Sequence, residues 1–186
     1  GMVLSEKKKG RDNYPYLRYG VLESPRSFFH TLEVATGAKA YSRASGITQK
    51  EKVVDQSIEK MLEDYSIGAQ QFFDEYIGRL KRELIKNPTS YLEASKWVTL
   101  AEKYYQVNII LIQNDEEEYL GGDFLYPRAS KALLPTRIPD RGTVIIFRSK
   151  MKNIPGIPYQ CNILKKLPEE TMVFRGDHFV EIVSDM

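Results

Sequence analysis

The sequence is poor in the residues that most often build reactive or metal-binding sites, with one cysteine and two histidines among 186 residues. A single cysteine, Cys161, excludes an internal disulfide and every zinc site built from several cysteines. It also favours a reducing, cytoplasmic setting. Because His30 and His178 are the only histidines, any imidazole general base must be one of them.

Long apolar runs and a strong excess of one charge are also missing. The longest apolar runs, Ile109–Ile112 and Val144–Phe147, are far shorter than the roughly 18 residues that a membrane span needs. No apolar segment follows the basic Lys7–Lys9, as it would in a signal peptide. A net charge of +2 is not the strongly basic balance typical of nucleic-acid binding. We therefore expect no membrane and no nucleic-acid partner.

Sites for cofactors and metals are not evident either. Gly121-Gly122 lacks the spacing of a phosphate-binding glycine loop, so we expect no cofactor. The acidic run Asp115–Glu118 is typical of a solvated loop, with metal binding as the alternative. Cys161 lies in a predicted strand with no histidine beside it, which favours a buried structural thiol. The sequence therefore predicts no metal centre.

Apolar periodicity predicts helices first and strands afterwards. Residues 1–13 are polar and predict a flexible tail, and residues 14–186 predict a single domain. Helices are predicted over residues 24–37, 49–65, 67–85 and 90–105, an extended segment over 14–22, and strands over 107–113, 142–149, 158–166 and 178–183. Asn87-Pro88 is predicted to break the third helix. Helices followed by strands favour the α+β class, with the helices packed on a small mixed sheet.

Ser27 occupies the first turn of the first predicted helix. Ser24 is a suitable N-cap, and Pro25 suits the first helical position. Unpaired main-chain N–H groups and the positive end of the helix dipole face this turn, where a cysteine would become a thiolate nucleophile. A serine cannot ionise in advance and needs an oriented base, such as His178. On local grounds, a role in satisfying the helix terminus is the favoured interpretation of Ser27.

Three segments together resemble the ovarian-tumour (OTU) domain deubiquitinases, a family of papain-like cysteine peptidases. "SPRSFFHTL" resembles the segment that opens the family's catalytic helix. "YLEASKWVTLAEKYYQVNIILI" resembles its central block and contains Trp97. "DHFVEIV" resembles its late strand, with His178 and Phe179 as the histidine–aromatic pair. The resemblance implies an OTU-like fold, a nucleophile at position 27, His178 as general base, and Trp97 and Phe179 as binding residues.

Four positions depart from the family's pattern. Ser27 replaces the nucleophilic cysteine, and Ser24 stands where many members have an aspartate. Pro25 replaces a glycine whose flexible loop donates N–H groups to the oxyanion, and proline has no N–H to donate. Val180 stands where the family often has an Asn or Asp that orients the histidine. The combined loss predicts an OTU-like domain whose peptidase site has decayed or been repurposed.

Three interpretations of function follow from these residues. The first is an inactive or repurposed OTU-like module that binds ubiquitin or another protein. The second is an isopeptidase that uses Ser27, or a cysteine mutated to Ser27, with His178 as base. The third is a structural or interaction protein in which these residues serve only the fold. The resemblance also suggests a viral protein that acts inside a host cell.

Overall fold

The computed structural model describes residues 3–4, 16–64, 71–114, 123–126, 140–152 and 154–175. The helices in this part of the chain are α1 (Ser27–Ala35), α2 (Lys39–Arg43), α3 (Ile47–Asp64), α4 (Gln71–Lys86) and α5 (Ala94–Tyr105). The strands are β1 (Val3–Leu4), β2 (Tyr16–Gly20), β3 (Asn108–Gln113), β4 (Asp123–Tyr126), β5 (Thr143–Lys150) and β6 (Tyr159–Lys166).

The strands form one mixed sheet in the order β1-β2-β6-β5-β3-β4. The central strands β3 and β5 run parallel, and every other neighbouring pair is antiparallel. Helices precede most of the sheet in the chain, and α1 packs on β5 and β6. The α+β class with helices on a small mixed sheet is therefore confirmed. The OTU-like assignment of this fold remains a prediction.

Both faces of the central strands are buried, which explains why β3 and β5 read as continuous apolar runs rather than as alternating ones. Alternate residues of β3, β5 and β6 join the main core: Ile109, Leu111, Val144, Ile146, Cys161 and Ile163. The helices cover this face with Phe28, Phe29, Leu32, Val54, Ile58, Met61, Trp97, Leu100 and Ala101. The intervening strand residues form a second cluster on the opposite face: Ile110, Ile112, Ile145, Phe147 and Leu164, with Phe174 beside them.

The first helix begins later than its capping signals predict. The hydroxyl of Ser24 accepts a hydrogen bond from the main-chain N of Arg26 (3.0 Å), and the main-chain N of Ser27 donates to the Ser24 carbonyl (3.0 Å). These bonds close a turn before the helix, so Arg26 is the N-cap and Ser27 the first helical residue. The end predicted at residue 37 is close to the observed one, because α1 ends at Ala35 and Gly37 follows with a φ of +64°.

The fourth helix also begins later in the structure than the sequence predicts. Tyr91 and Leu92 are not helical, because the main-chain N of Leu92 donates to the carbonyl of Pro25 (2.9 Å). Helix α5 starts at Ala94, and the carboxylate of Glu93 caps it by accepting from the N of Ser95 (3.5 Å). A tertiary hydrogen bond thus overrides the local helix preference of this segment.

Three short elements were not predicted: β1, α2 and β4. Helix α2 has five residues, too few to show a helical period, and β4 has four. The second predicted helix matches α3, and α4 ends at Lys86, next to the predicted break at Asn87-Pro88. Residues 65–70 and the predicted strand over 178–183 lie outside the described residues. Most of the predicted tail also lies outside them, although β1 within it pairs with Tyr16 and Leu17.

Candidate functional site around the start of helix α1

The loop that leads into α1 is held by contacts with three other segments. The guanidinium of Arg26 pairs with the carboxylate of Asp55 in α3, with 2.5 Å between Nε and Oδ1. Its Nη2 donates to the carbonyl of Pro88. The carbonyl of Pro25 accepts from the main chain of Leu92 (2.9 Å). The residues around Ser27 are therefore fixed from several directions.

Ser27 itself lies in the interior, with only 1% of its surface exposed. Its Oγ accepts a hydrogen bond from the main-chain N of Cys161 in β6 (3.1 Å). Strand β2 ends at Gly20, which pairs with Asn162, so Cys161 lies just past the end of that pairing. A buried main-chain N–H needs a hydrogen-bond acceptor. The Ser27 hydroxyl supplies the acceptor that a longer β2 would have provided.

The thiol of Cys161 is buried beside Ser27. Burial raises the pKa of this thiol to about 12, and a hydrogen bond with Ser27 opposes part of that rise. A thiol with such a pKa stays protonated at neutral pH and is a poor nucleophile. This environment agrees with the structural role predicted for Cys161.

The predicted partners of Ser27 in catalysis fall outside the described part of the chain. His178, Phe179 and Val180 all belong to residues 176–186, which the structure does not describe. The assignment of Ser27 and His178 as nucleophile and base, and of Phe179 as a binding residue, therefore stays a prediction.

His30, the other histidine, lies one turn after Ser27 and is completely buried. Its Nδ1 is 2.8 Å from the hydroxyl of Tyr41, and its Nε2 is 3.4 Å from Oε1 of Glu51. Burial lowers the pKa of His30, and the nearby Glu51 opposes that shift in part. The imidazole is therefore neutral at pH 7 and joins α1 to α2 and α3.

Trp97, the other predicted binding residue, is 1% exposed. Its ring packs edge-on against Phe29, with centroids 5.6 Å apart, and it belongs to the main core. In this conformation the indole stabilises the contact between α5 and α1. Any effect of Trp97 on a partner would have to act through that packing.

A polar cluster that sequence reasoning missed lies beside Cys161, at the end of β5. Arg148 faces Cys161 across the β5–β6 pairing. Its Nε donates to Oε1 of Gln113 (2.7 Å), its Nη1 pairs with Glu93, and its guanidinium lies 4.0 Å above the ring of Tyr159. A charged residue directly after the apolar run Val144–Phe147 was the available signal. The pairing with Glu93 neutralises the arginine, so the cluster mainly joins α5 to the sheet.

Tyr91 borders the same cluster. Its hydroxyl is buried and has no hydrogen-bond partner in the described part of the chain, and its ring lies 6.3 Å from that of Tyr159. Burial raises the pKa of Tyr91 well above its usual range. This phenol is therefore neutral at pH 7.

The described residues contain no group of three or more His, Cys, Asp or Glu side chains able to hold a metal ion. The acidic run Asp115–Glu118 lies outside them. No described helix combines the length and apolarity required to cross a bilayer. No protein family, curated protein or solved structure matches the chain.

Proposed function

We propose that this chain is an OTU-like domain without peptidase activity that works as a protein-binding module, with ubiquitin as the first partner to test. The observation that carries the proposal is the environment of Ser27. A nucleophile must reach a substrate carbonyl, but the Ser27 hydroxyl is buried and bonded to the main chain of Cys161. Its use in holding β6 favours a structural role over an attacking one.

The main-chain donors of the preceding loop support the same proposal. Acyl transfer needs N–H groups that point at the developing oxyanion. Pro25 has no N–H, the N–H of Arg26 donates to the Ser24 hydroxyl, and that of Ser27 donates to the Ser24 carbonyl. All three positions are therefore closed to an oxyanion in this conformation.

The proposal is tested by placing a cysteine at position 27. We expect Ser27→Cys to show no cleavage of ubiquitin chains, because the buried site and the occupied N–H groups remain. The matched control is Ser42→Cys, which places a thiol on the exposed surface of α2. Cleavage by Ser27→Cys but not by Ser42→Cys would identify a working isopeptidase and overturn the proposal.

Binding is tested separately by titrating ubiquitin into the ¹⁵N-labelled chain and following amide shifts. Saturable shifts confined to one surface would support ubiquitin as the partner. Unchanged spectra at high ubiquitin concentration would remove ubiquitin from the proposal.

A further inference from the structure

A second feature of interest is a cleft of about 230 Å³ at the opposite end of α1 from Ser27. Its walls include Tyr19 and the residues that follow β2, Val34 of α1, Tyr41 of α2, and Ile47 and Lys50 of α3. Val34 lies seven residues beyond Ser27, which corresponds to about 10 Å along a helix. The cleft is therefore separate from the site around Ser27.

The rim of this cleft carries exposed apolar side chains. Only three large hydrophobic residues are exposed in the described part of the chain, and two of them, Tyr19 (38%) and Ile47 (64%), line the cleft. Val21, Leu22 and Val34 extend the apolar wall inward. Exposed apolar groups gathered in a concave surface are typical of an interaction site.

The cleft also carries the positive charge of Lys50. The ammonium of Lys50 lies 5.3 Å from the centroid of the Tyr41 ring, and no carboxylate forms an ion pair with it in the described residues. The neighbouring acid, Glu51, faces His30 instead. Residues 34–50 contain Lys39, Arg43 and Lys50 but no Asp or Glu. The charge of this wall is complementary to an anionic group.

The other lysine near the cleft is already neutralised. The Nζ of Lys165 lies 5.0 Å from the centroid of the Tyr19 ring, and it pairs with Oε1 of Glu170 at 2.8 Å. Among the described residues that line the cleft, Lys50 therefore supplies the ammonium, and apolar side chains lie next to it.

We propose that this cleft binds the C-terminal residue of a partner protein, a large apolar residue with a free carboxylate. A cavity of roughly 150 Å³ holds a benzene-sized group, so 230 Å³ accommodates about one large side chain. The apolar group and the negative charge must then belong to the same residue. A residue with a large apolar side chain carries a carboxylate only at the C-terminus of a chain. Capture of a terminal carboxylate is a recurring mode of peptide recognition. The inference rests on the proposed function as a protein-binding module and names the surface and the kind of partner.

The test uses the ¹⁵N-labelled full chain and the peptide acetyl-Gly-Ser-Gly-Leu with a free C-terminal carboxylate. We expect saturable shifts at the amides of Tyr19, Ile47 and Lys50. The same peptide with a C-terminal amide should bind at least about tenfold more weakly, because it lacks the charge-assisted contact to Lys50. Equal binding of the two peptides, or shifts elsewhere only, would overturn the assignment.

Matched variants test the role of the ammonium. Lys50→Met keeps the length of the side chain and should weaken binding about tenfold, whereas Lys52→Met, at an exposed position of the same helix, should leave it unchanged. Equal affinity in Lys50→Met would contradict the proposal. Acetyl-leucine that binds as tightly as the peptide would also contradict it, because the site would then be one for small acids.

Ubiquitin titrated into the same sample separates this inference from the proposed function. Ubiquitin shifts away from the cleft, with no binding of the peptide, would overturn the cleft assignment alone. Peptide binding at the cleft supports the assignment whether or not ubiquitin binds.

Discussion

The hydroxyl of Ser27 accepts a hydrogen bond from the main chain of Cys161, 134 residues away (3.1 Å). We predict that Ser27→Ala destabilises the fold, because it leaves the buried N–H of Cys161 without an acceptor. Leaving a buried donor unsatisfied costs about 1–3 kcal/mol. For a domain of this size, each kcal/mol lowers the melting temperature by about 2–4 °C, so we expect a fall of about 2–12 °C.

The assay is urea and thermal unfolding followed by circular dichroism, together with hydrogen exchange of the Cys161 amide. The exchange measurement is specific, because a lost acceptor should speed exchange at Cys161 more than at other amides of β6. The control is Ser42→Ala, whose hydroxyl donates to Ala38 on an exposed helix surface (3.1 Å). We expect that change to stay within about 0.5 kcal/mol.

A Ser27→Ala variant that is as stable as the parent, with unchanged exchange at Cys161, would refute the reasoning. The hydroxyl would then have no structural task, and the main support for an inactive site would be lost.

Three further predictions concern neighbouring groups. The pKa of His30 in the folded chain lies below 6.5, so the unfolded chain binds the proton first as the pH falls. The contribution of His30 to stability should therefore be constant above about pH 6.5 and decrease below it, by at most about 1.4 kcal/mol per pH unit. His30→Gln should remove this decrease, which urea unfolding at several pH values would measure. Glu93→Gln and Arg148→Met should each lower the free energy of unfolding by about 1–3 kcal/mol, because each leaves a half-buried charge unpaired. A double-mutant cycle should show a coupling energy of about 0.5–3 kcal/mol between the two positions. Strictly additive effects would contradict the pairing. Trp97→Ala should cost about 3–5 kcal/mol in unfolding followed by circular dichroism, whereas Ile85→Ala, at a position 78% exposed, should change stability little; similar values for both would argue against the core position of the indole.

The helical segments show which signals in the sequence are sufficient to predict a helix. Val53, Val54, Ile58, Met61 and Leu62 repeat at helical spacing, and α3 forms where that period predicts it. The segment from Ser90 to Glu93 belongs to a predicted helix but is not helical. There a hydrogen bond between Leu92 and Pro25, two residues far apart in the chain, decides the outcome.

The candidate site also combines features that the sequence predicts with features that it does not. Serine, proline and the apolar residues around position 27 identified a helix start, and this start was found within three residues of the expected place. Arg148, Gln113 and Glu93 were missed because each is unremarkable in its own segment. The pairing of β3 with β5 brings Gln113 to Arg148, and the start of α5 brings Glu93 to the same arginine.

The sequence by itself determined the order of the longer helices and of the strands β3, β5 and β6, and the helix ends near Gly37 and Pro88, because these depend on local spacing and turn chemistry. Only the tertiary structure decided that the Ser27 hydroxyl accepts a hydrogen bond from β6 and that Lys50 lines a cleft together with apolar side chains. Both outcomes depend on where β2 ends and on how α1, α2 and α3 pack around that end, and such long-range geometry leaves no periodic trace in the chain.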